Sequence, residues 1–246
     1  MRVATFNIHH GDGQDGVPDL ERTARTLAAT GGDLIGLQEV DRHFSARSGW
    51  VDQAAWLGER LDMQVAFGAN LDLSPTEPGA PRRQYGNALL SAYDILDWHN
   101  ILLPRLGNDE QRGLLDVLVD VADGSLTHIL VTHLQHDSRT ARLLQVDAIR
   151  QVLASSEPPV VLAGDLNARP DTTEIRQLTD ALVDAWATAG RGPGYTFSAR
   201  RPRARIDYVM SSDDLVAWGA EVLRSQAADH LPLVADLQSA GLYGPG

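Results

Sequence analysis

The chain of 246 residues has no cysteine. Disulfides, thiol nucleophiles and cysteine-ligated zinc are thereby excluded. Lysine is absent as well, so all 21 basic residues are arginine. This removes a P-loop lysine, a Schiff-base lysine and a Ser-Lys dyad. The sequence carries no Gly-x-Ser-x-Gly elbow, which argues against a serine hydrolase. No apolar run approaches membrane-spanning length, and residues 1–6 enter a strand-like pattern without a long apolar signal region. A soluble cytoplasmic protein without membrane insertion is therefore expected. The remaining chemistry belongs to carboxylates, histidine, hydroxyls, tyrosine, arginine and bound metal.

Hydrophobic residues make up 43% of the chain and charged residues 22%, enough for a sizeable core. We expect one domain over residues 1–246, with a flexible tail from about residue 239. The formal net charge is -12. Nucleic acid needs a basic surface, so it is a disfavoured partner. Acidic clusters can instead hold hard cations through oxygen ligands, although most of the 33 acids serve solubility. Trp50, Trp56, Trp98, Trp186 and Trp218 are scattered and form no helical stripe. A monomer is expected. Arginine-only, aspartate-rich usage matches a GC-rich bacterial source.

Periodicity then sets the elements. Strands are predicted over 2–8, 33–40, 64–67, 85–91, 95–103, 114–121, 127–133, 160–164, 205–210, 221–224 and 231–237. Helices are predicted after Pro18-Asp19, over 52–61, over 138–154 behind a Ser138 cap, and over 171–186. Residues 72–84 and 190–204 read as loops, and Asp123-Gly124 as a hairpin turn. Strands dominate, and helices interrupt them too rarely for a fully parallel sheet. Two packed sheets with helices outside, an α+β arrangement, fit this count.

The stretch Val160-Val161-Leu162-Ala163-Gly164-Asp165-Leu166-Asn167 is a strand buried on both faces that releases two polar residues at its tip. Gly164 permits a close backbone approach or an unusual turn. Asp165 and Asn167 alternate with Leu166 and can share a side. Alone, this reads more readily as a plain Asx-turn closing a strand. The pattern recurs, however, with Asn7, Glu39, Asn87, His133, Asp207, Asp229 and His230 all at strand tips. Metal-assisted phosphoryl transfer needs such a set: an oxygen ligand for Mg²⁺, a carboxylate for the attacking water, neutral donors for the phosphate, and an imidazole.

The motifs Thr5-Phe6-Asn7, Leu37-Gln38-Glu39-Val40, Gly86-Asn87-Ala88-Leu89-Leu90-Ser91, Thr132-His133-Leu134, Gly164-Asp165-Leu166-Asn167-Ala168, Arg205-Ile206-Asp207-Tyr208 and Asp229-His230-Leu231-Pro232 resemble those of the endonuclease/exonuclease/phosphatase (DNase I-like) superfamily. They occur in family order across residues 5–232. The resemblance implies a four-layer α/β/β/α sandwich with a cleft at the strand ends. It also implies roles by position. Glu39 would be the main Mg²⁺ ligand (Mn²⁺ being the alternative), with Asn7 close to it and Asp229 near the metal. Asp165 would orient or deprotonate the attacking water. Asn167 and His133 would hold non-bridging phosphate oxygens. His230 would stabilise the phosphorane-like charge, with Asp207 fixing its tautomer. Asn87 would stand at the substrate or behind it.

The substrate is less legible. Arg205 in the arginine-rich loop 191–205 and Arg82-Arg83 are candidate substrate contacts equally readable as solvated loop residues, and Arg112 is a candidate contact more readily read as a surface residue. The expected activity is a divalent-metal-dependent phosphoesterase acting on a phosphodiester or phosphomonoester. A DNA endonuclease is the alternative, and it requires a basic rim. A catalytically inactive phosphate-binding domain is the alternative of another class. It should have lost one of Glu39, Asp165, Asp207 or His230, and all are present.

Overall fold

The computed structural model describes residues 1–121, 125–157 and 159–242. The first half runs β1 (Arg2–Asn7), α1 (Leu20–Thr30), β2 (Leu34–Arg42), α2 (Gln53–Leu61), β3 (Gln64–Leu73), β4 (Arg83–Ser91), β5 (Asp94–Leu102) and β6 (Gly113–Val121). The second runs β7 (Ser125–His133), α3 (Arg139–Ser155), β8 (Val160–Asp165), α4 (Thr173–Thr179), β9 (Val183–Asp184), α5 (Ala185–Ala189), β10 (Asp207–Ser211), β11 (Leu215–Val222) and β12 (Leu233–Ser239). The strands form two mixed six-stranded sheets, ordered β11-β12-β1-β2-β4-β3 and β5-β6-β7-β8-β10-β9.

Period-two alternation builds the layers. On β1, Val3 faces the second sheet while Ala4 and Phe6 face α1 and α2. On β8, Val161 and Ala163 turn inward while Val160 and Leu162 lie beneath α3 and α4. Between the sheets, Val3, Leu34 and Leu89 meet Leu115, Val131 and Val209. Each such fully buried side chain contributes about 1.5–3 kcal/mol relative to exposure. The result is the expected α/β/β/α sandwich. Gly164 allows the close approach of β8 to β7, since a Cβ there would run into the Thr132 carbonyl. Predicted helix starts are capped: Asp19 accepts from Arg22 N at 2.8 Å, Asp52 from Ala55 N at 3.1 Å, and Ser138 from Ala141 N at 3.2 Å.

Three elements differ from the prediction. The stretch 171–186 is not one helix. Val183–Asp184 pairs with β10, and the Asp184 side chain then caps α5 by accepting from Trp186 N at 3.0 Å. Strand β11 spans Leu215–Val222 rather than 221–224 and carries a bulge between Ala217 and Gly219. Strand β3 continues to Leu73, in partnership with β4. The Asp123-Gly124 turn lies outside the described residues, although Val121 and Ser125 on either side pair antiparallel. At the chain's end, a 3-10 turn Ala240–Leu242 follows β12, with Ala240 N bonded to Asp214 O at 2.8 Å. The rest of the expected tail lies outside the described residues.

Candidate active site

Strand register assembles the site. β7 and β8 are parallel with His133 opposite Asp165, and β10 is antiparallel with Asp207 opposite Asp165. The three side chains therefore stand in one row across adjacent strands. β1 runs parallel to β2 in the other sheet and ends at Asn7, which faces this row. Glu39 sits in a bulge of β2, between Leu37 and Val40, with a left-handed φ of 58°. That bulge re-aims its carboxylate along the strand end.

Asp165 is the hub. Its Oδ1 accepts from Asn167 N at 3.0 Å, which is the Asx-turn read from the sequence. Its Oδ2 accepts from Asn7 Nδ2 at 3.2 Å and lies 3.5 Å from both His133 Nε2 and His230 Nε2. Asn7 Nδ2 also reaches Glu39 Oε1 at 3.1 Å, so one amide joins two carboxylates. His230 donates from Nδ1 to Asp207 Oδ2 at 2.9 Å. Asn167, left-handed at φ 48°, points its amide at Leu134 O, 3.0 Å away.

Arg112 sets the tautomer of His133. Its Nη1, which can only donate, lies 3.1 Å from His133 Nδ1. Asn167 Nδ2, also a donor, lies 3.1 Å from His133 Nε2, but the charged Arg112 outweighs this neutral amide, so the neutral ring accepts at Nδ1 and carries its proton on Nε2, 3.5 Å from Asp165 Oδ2. Burial, and then the Arg112 charge, hold this imidazole well below its ordinary value of 6.5. Burial also pushes Asp165 up to about 7, with the Asp207 charge adding to it and the His230 charge opposing it. For His230, burial works against the charged form, but Asp207 and Asp165 outweigh it and push the imidazole up to about 10. Burial pushes Glu39 up, but the hydrogen bond it accepts from Asn7 Nδ2 and its other polar neighbours outweigh this, so it titrates well below the usual carboxylate range.

The other predicted residues fall at varying distance from this cluster. Asp229 is at the rim, its side chain 46% exposed and its Oδ1 3.9 Å from His9 Nδ1. Asn87 is fully buried and bridges the sheets, donating to Gly113 O at 3.0 Å and Val131 O at 3.3 Å, with Oδ1 unpaired. Arg112 lies behind His133, bonded also to Gln135 Oε1 at 3.2 Å and 2.7 Å from Glu110 Oε1. Arg205 is committed elsewhere. It donates to Asp184 Oδ2 at 2.7 Å in a buried ion pair, with its guanidinium 4.7 Å over the Tyr208 ring. That pair anchors the arginine-rich loop to α5. Sequence reasoning missed the contribution of His9 and His10, which follow Asn7 closely enough to have been a signal. It also missed Phe197, whose ring packs 4.8 Å from that of His230 and carries no motif.

The donor chemistry suits a hard cation. Glu39 stays ionised and shares the Asn7 amide with a second carboxylate, and oxygen ligands of this kind hold Mg²⁺ or Mn²⁺. Asp165, Asp207 and His230 are also close enough to share an ion, but His230 Nδ1 is already engaged by Asp207.

A family model described as the endonuclease/exonuclease/phosphatase family matches residues 4–230. The chain belongs to this family. This is a family of phosphoesterase- and nuclease-type hydrolases, and the two helix-flanked six-stranded sheets match its fold. The chain is 27% identical to the uncharacterized protein YbhP of Escherichia coli K12 over 96% of both chains. An endonuclease/exonuclease/phosphatase from Beutenbergia cavernae superposes with a TM-score of 0.82 at 28% identity, covering 97% of this chain and 71% of that one. The mannosyl-6-phosphatase Bt3783 of Bacteroides thetaiotaomicron shares the fold, with a TM-score of 0.76 at 16% identity over 97% of this chain and 99% of that one. Among the described residues, no helix is long and apolar enough to cross a membrane.

Proposed function

We propose that this protein is a divalent-metal-dependent phosphoesterase that hydrolyses a phosphodiester or phosphomonoester by in-line attack of water. The observation that carries the reading is the convergence on Asp165 Oδ2 of Asn7, His133 and His230 from separate parts of the chain, with Glu39 one amide away.

Asp165 accepts the proton of the attacking water as its oxygen bonds to phosphorus. A carboxylate raised to about 7 is a base matched to neutral pH. His230 is charged at that pH and faces the phosphoryl oxygens, where it stabilises the negative charge that builds in the transition state. Asp207 holds its proton on Nδ1 and sustains the charge. His133, through Nε2–H, and the Asn167 amide donate to non-bridging oxygens. The P–O bond opposite the water breaks, and the leaving oxygen takes a proton from solvent. A divalent cation held by Glu39 and Asn7, with Asp229 at the rim, would offset the charge that repels the nucleophile.

The net charge of -12 favours a small soluble ester over a nucleic acid. That one protein of the same fold is a mannosyl-6-phosphatase is consistent with this choice. The test is a panel of bis-p-nitrophenyl phosphate, p-nitrophenyl phosphate, sphingomyelin, abasic DNA and plasmid DNA, each with Mg²⁺, Mn²⁺ or EDTA. Metal-dependent hydrolysis of the nitrophenyl esters is expected. Nicking of plasmid at catalytic enzyme levels would move the assignment to a DNA endonuclease. Failure on every ester with either metal overturns the reading.

A further inference from the structure

Immediately after Asn7 the backbone makes a turn that is costly for its residues. His9 and His10 are both left-handed, at φ 46° and 43°. Such a conformation is unfavourable for a residue that carries a Cβ. The turn is pinned at both ends: His9 N donates to Asn7 Oδ1 at 3.0 Å, and the buried Gln53 donates to His10 O at 2.7 Å. Its effect is to bring both imidazoles beside Glu39, which is itself re-aimed by the bulge in β2. Donor atoms of His9, His10 and Glu39 lie within 4.8 Å of one another.

His10 Nδ1 is buried and, among the described residues, has no hydrogen-bond partner. It lies 3.9 Å from Glu39 Oε2, too far for a hydrogen bond. Two ligands about 2 Å from a common ion stand up to ~4 Å apart, so the gap suits a shared cation. On the opposite side of the ring, Nε2 is 3.5 Å from Asp12 Oδ2. A carboxylate there favours the proton on Nε2 and leaves the Nδ1 lone pair directed toward Glu39. This is the carboxylate–imidazole arrangement that orients metal-ligating histidines. The His9 ring packs edge-on against His10, with centroids 4.5 Å apart. Mg²⁺ takes oxygen ligands and water, whereas imidazole nitrogen suits borderline ions such as Zn²⁺, Ni²⁺ and Co²⁺.

We propose that His9, His10 and Glu39 form a nitrogen-bearing cation site, supported by Asp12 behind His10, that takes a borderline transition-metal ion in preference to Mg²⁺. This deepens the reading above, resting on Glu39 as a cation ligand, and adds to it a site of different metal preference. The test uses the full-length, metal-stripped protein titrated with Co²⁺ in a large excess of Mg²⁺. Bound Co²⁺ should give hyperfine-shifted, exchangeable imidazole proton resonances in the ¹H NMR spectrum. His9→Asn and His10→Asn should each bind about 10–100-fold more weakly and lose these resonances. Asparagine is chosen because it tolerates the left-handed backbone, and circular dichroism verifies the fold. His43→Asn, at another left-handed histidine (φ 50°), serves as the control and should keep the wild-type affinity. Undiminished Co²⁺ binding in both variants, or bound Co²⁺ without imidazole resonances, overturns the site. Mg²⁺-dependent hydrolysis with no such Co²⁺ site defeats this inference alone. A Co²⁺ site without hydrolysis of any phosphate ester defeats the functional reading alone.

Discussion

His230 donates a hydrogen bond from Nδ1 to Asp207 Oδ2 at 2.9 Å, and both side chains are buried. Asp207 opens β10 in one sheet, while His230 lies just before β12 in the other, so the pair ties the two sheets together at the mouth of the cleft. The same contact keeps the imidazole charged at neutral pH, against the opposing effect of burial. One hydrogen bond thus contributes both to the contact between the sheets and, with Asp165, to the charge on the imidazole.

Asp207→Asn should separate these effects. The His230 imidazole is raised from 6.5 to about 10, so its pairing stabilises the fold fully below pH 6.5 and the contribution is lost as pH rises through about 10. The wild-type advantage over the variant in urea unfolding should be large near neutral pH and shrink above pH 10. Turnover should fall about 10²–10⁴-fold, and the alkaline limb of the rate profile should move toward neutral pH. An alkaline limb that stays in place would show that His230 does not owe its charge to Asp207.

Asp165→Asn trades activity for stability. The asparagine keeps an acceptor for Asn167 N, so the turn should survive. Turnover should drop about 10²–10⁴-fold for loss of a general base. The wild-type carboxyl is raised from 3.8 to about 7, chiefly by burial. Ionising it in the folded chain costs stability, beginning above pH 3.8 and complete above about pH 7. In EDTA at pH 8 the variant should melt above the wild type, by about 2–4 °C for each kcal/mol recovered. At pH 4 the two should melt together. A variant less stable than wild type at pH 8 would mean that the buried charge is better compensated than its surroundings indicate.

Much of this arrangement was legible because the central strands are buried on both faces. The runs ending at Asn7, Glu39, His133 and Asp165 are apolar up to a polar tip, and register then brings those tips together. Helix starts were legible from Asp19, Asp52 and Ser138, whose caps act locally. What was hidden depends on contacts far apart in the chain. Arg205 looks like a free loop cation until the fold sets Asp184 against it. The break between α4 and α5 rests on β9 pairing with β10, which a helical spacing of apolar residues cannot show. Strand β11 is an edge strand that places apolar Val216 and Trp218 on its exposed face, so the stretch 215–220 shows none of the apolar/polar alternation that marks a half-buried strand. The approach of His10 to Glu39 needs both a left-handed turn and a bulge, neither of which has a periodic signature.

Gly164→Ala tests whether register carries the site. A Cβ would meet the Thr132 carbonyl between β8 and β7, a backbone atom that cannot step aside. The expected loss is about 1–3 kcal/mol or more, read by urea unfolding. Because His133 and Asp165 face each other across this pair of strands, turnover should fall together with stability even where the protein remains folded. Full activity in a folded variant would show that the spacing of these two strands does not position the hub.

Arg112→Gln probes a residue that acts through another. Arg112 Nη1 lies 3.1 Å from His133 Nδ1 and forces that nitrogen to accept, which leaves the proton on Nε2, toward Asp165 Oδ2. Its charge also helps hold the His133 imidazole below its ordinary range, after burial. Without the guanidinium, the ring is free to place its proton on either nitrogen, and its affinity for a second proton rises. Glu110, already raised by burial and held back by Arg112, should rise further. Turnover should fall on the order of 10²-fold, the scale of a misplaced catalytic contact, with a smaller change in KM. The decisive readout is ¹⁵N NMR of the histidine ring. Wild-type His133 should show the Nε2–H form alone through neutral pH, and the variant a mixture of tautomers. A variant that keeps the single Nε2–H form while losing activity would locate the effect of Arg112 in its charge. One that keeps both the form and the activity would remove Arg112 from the mechanism.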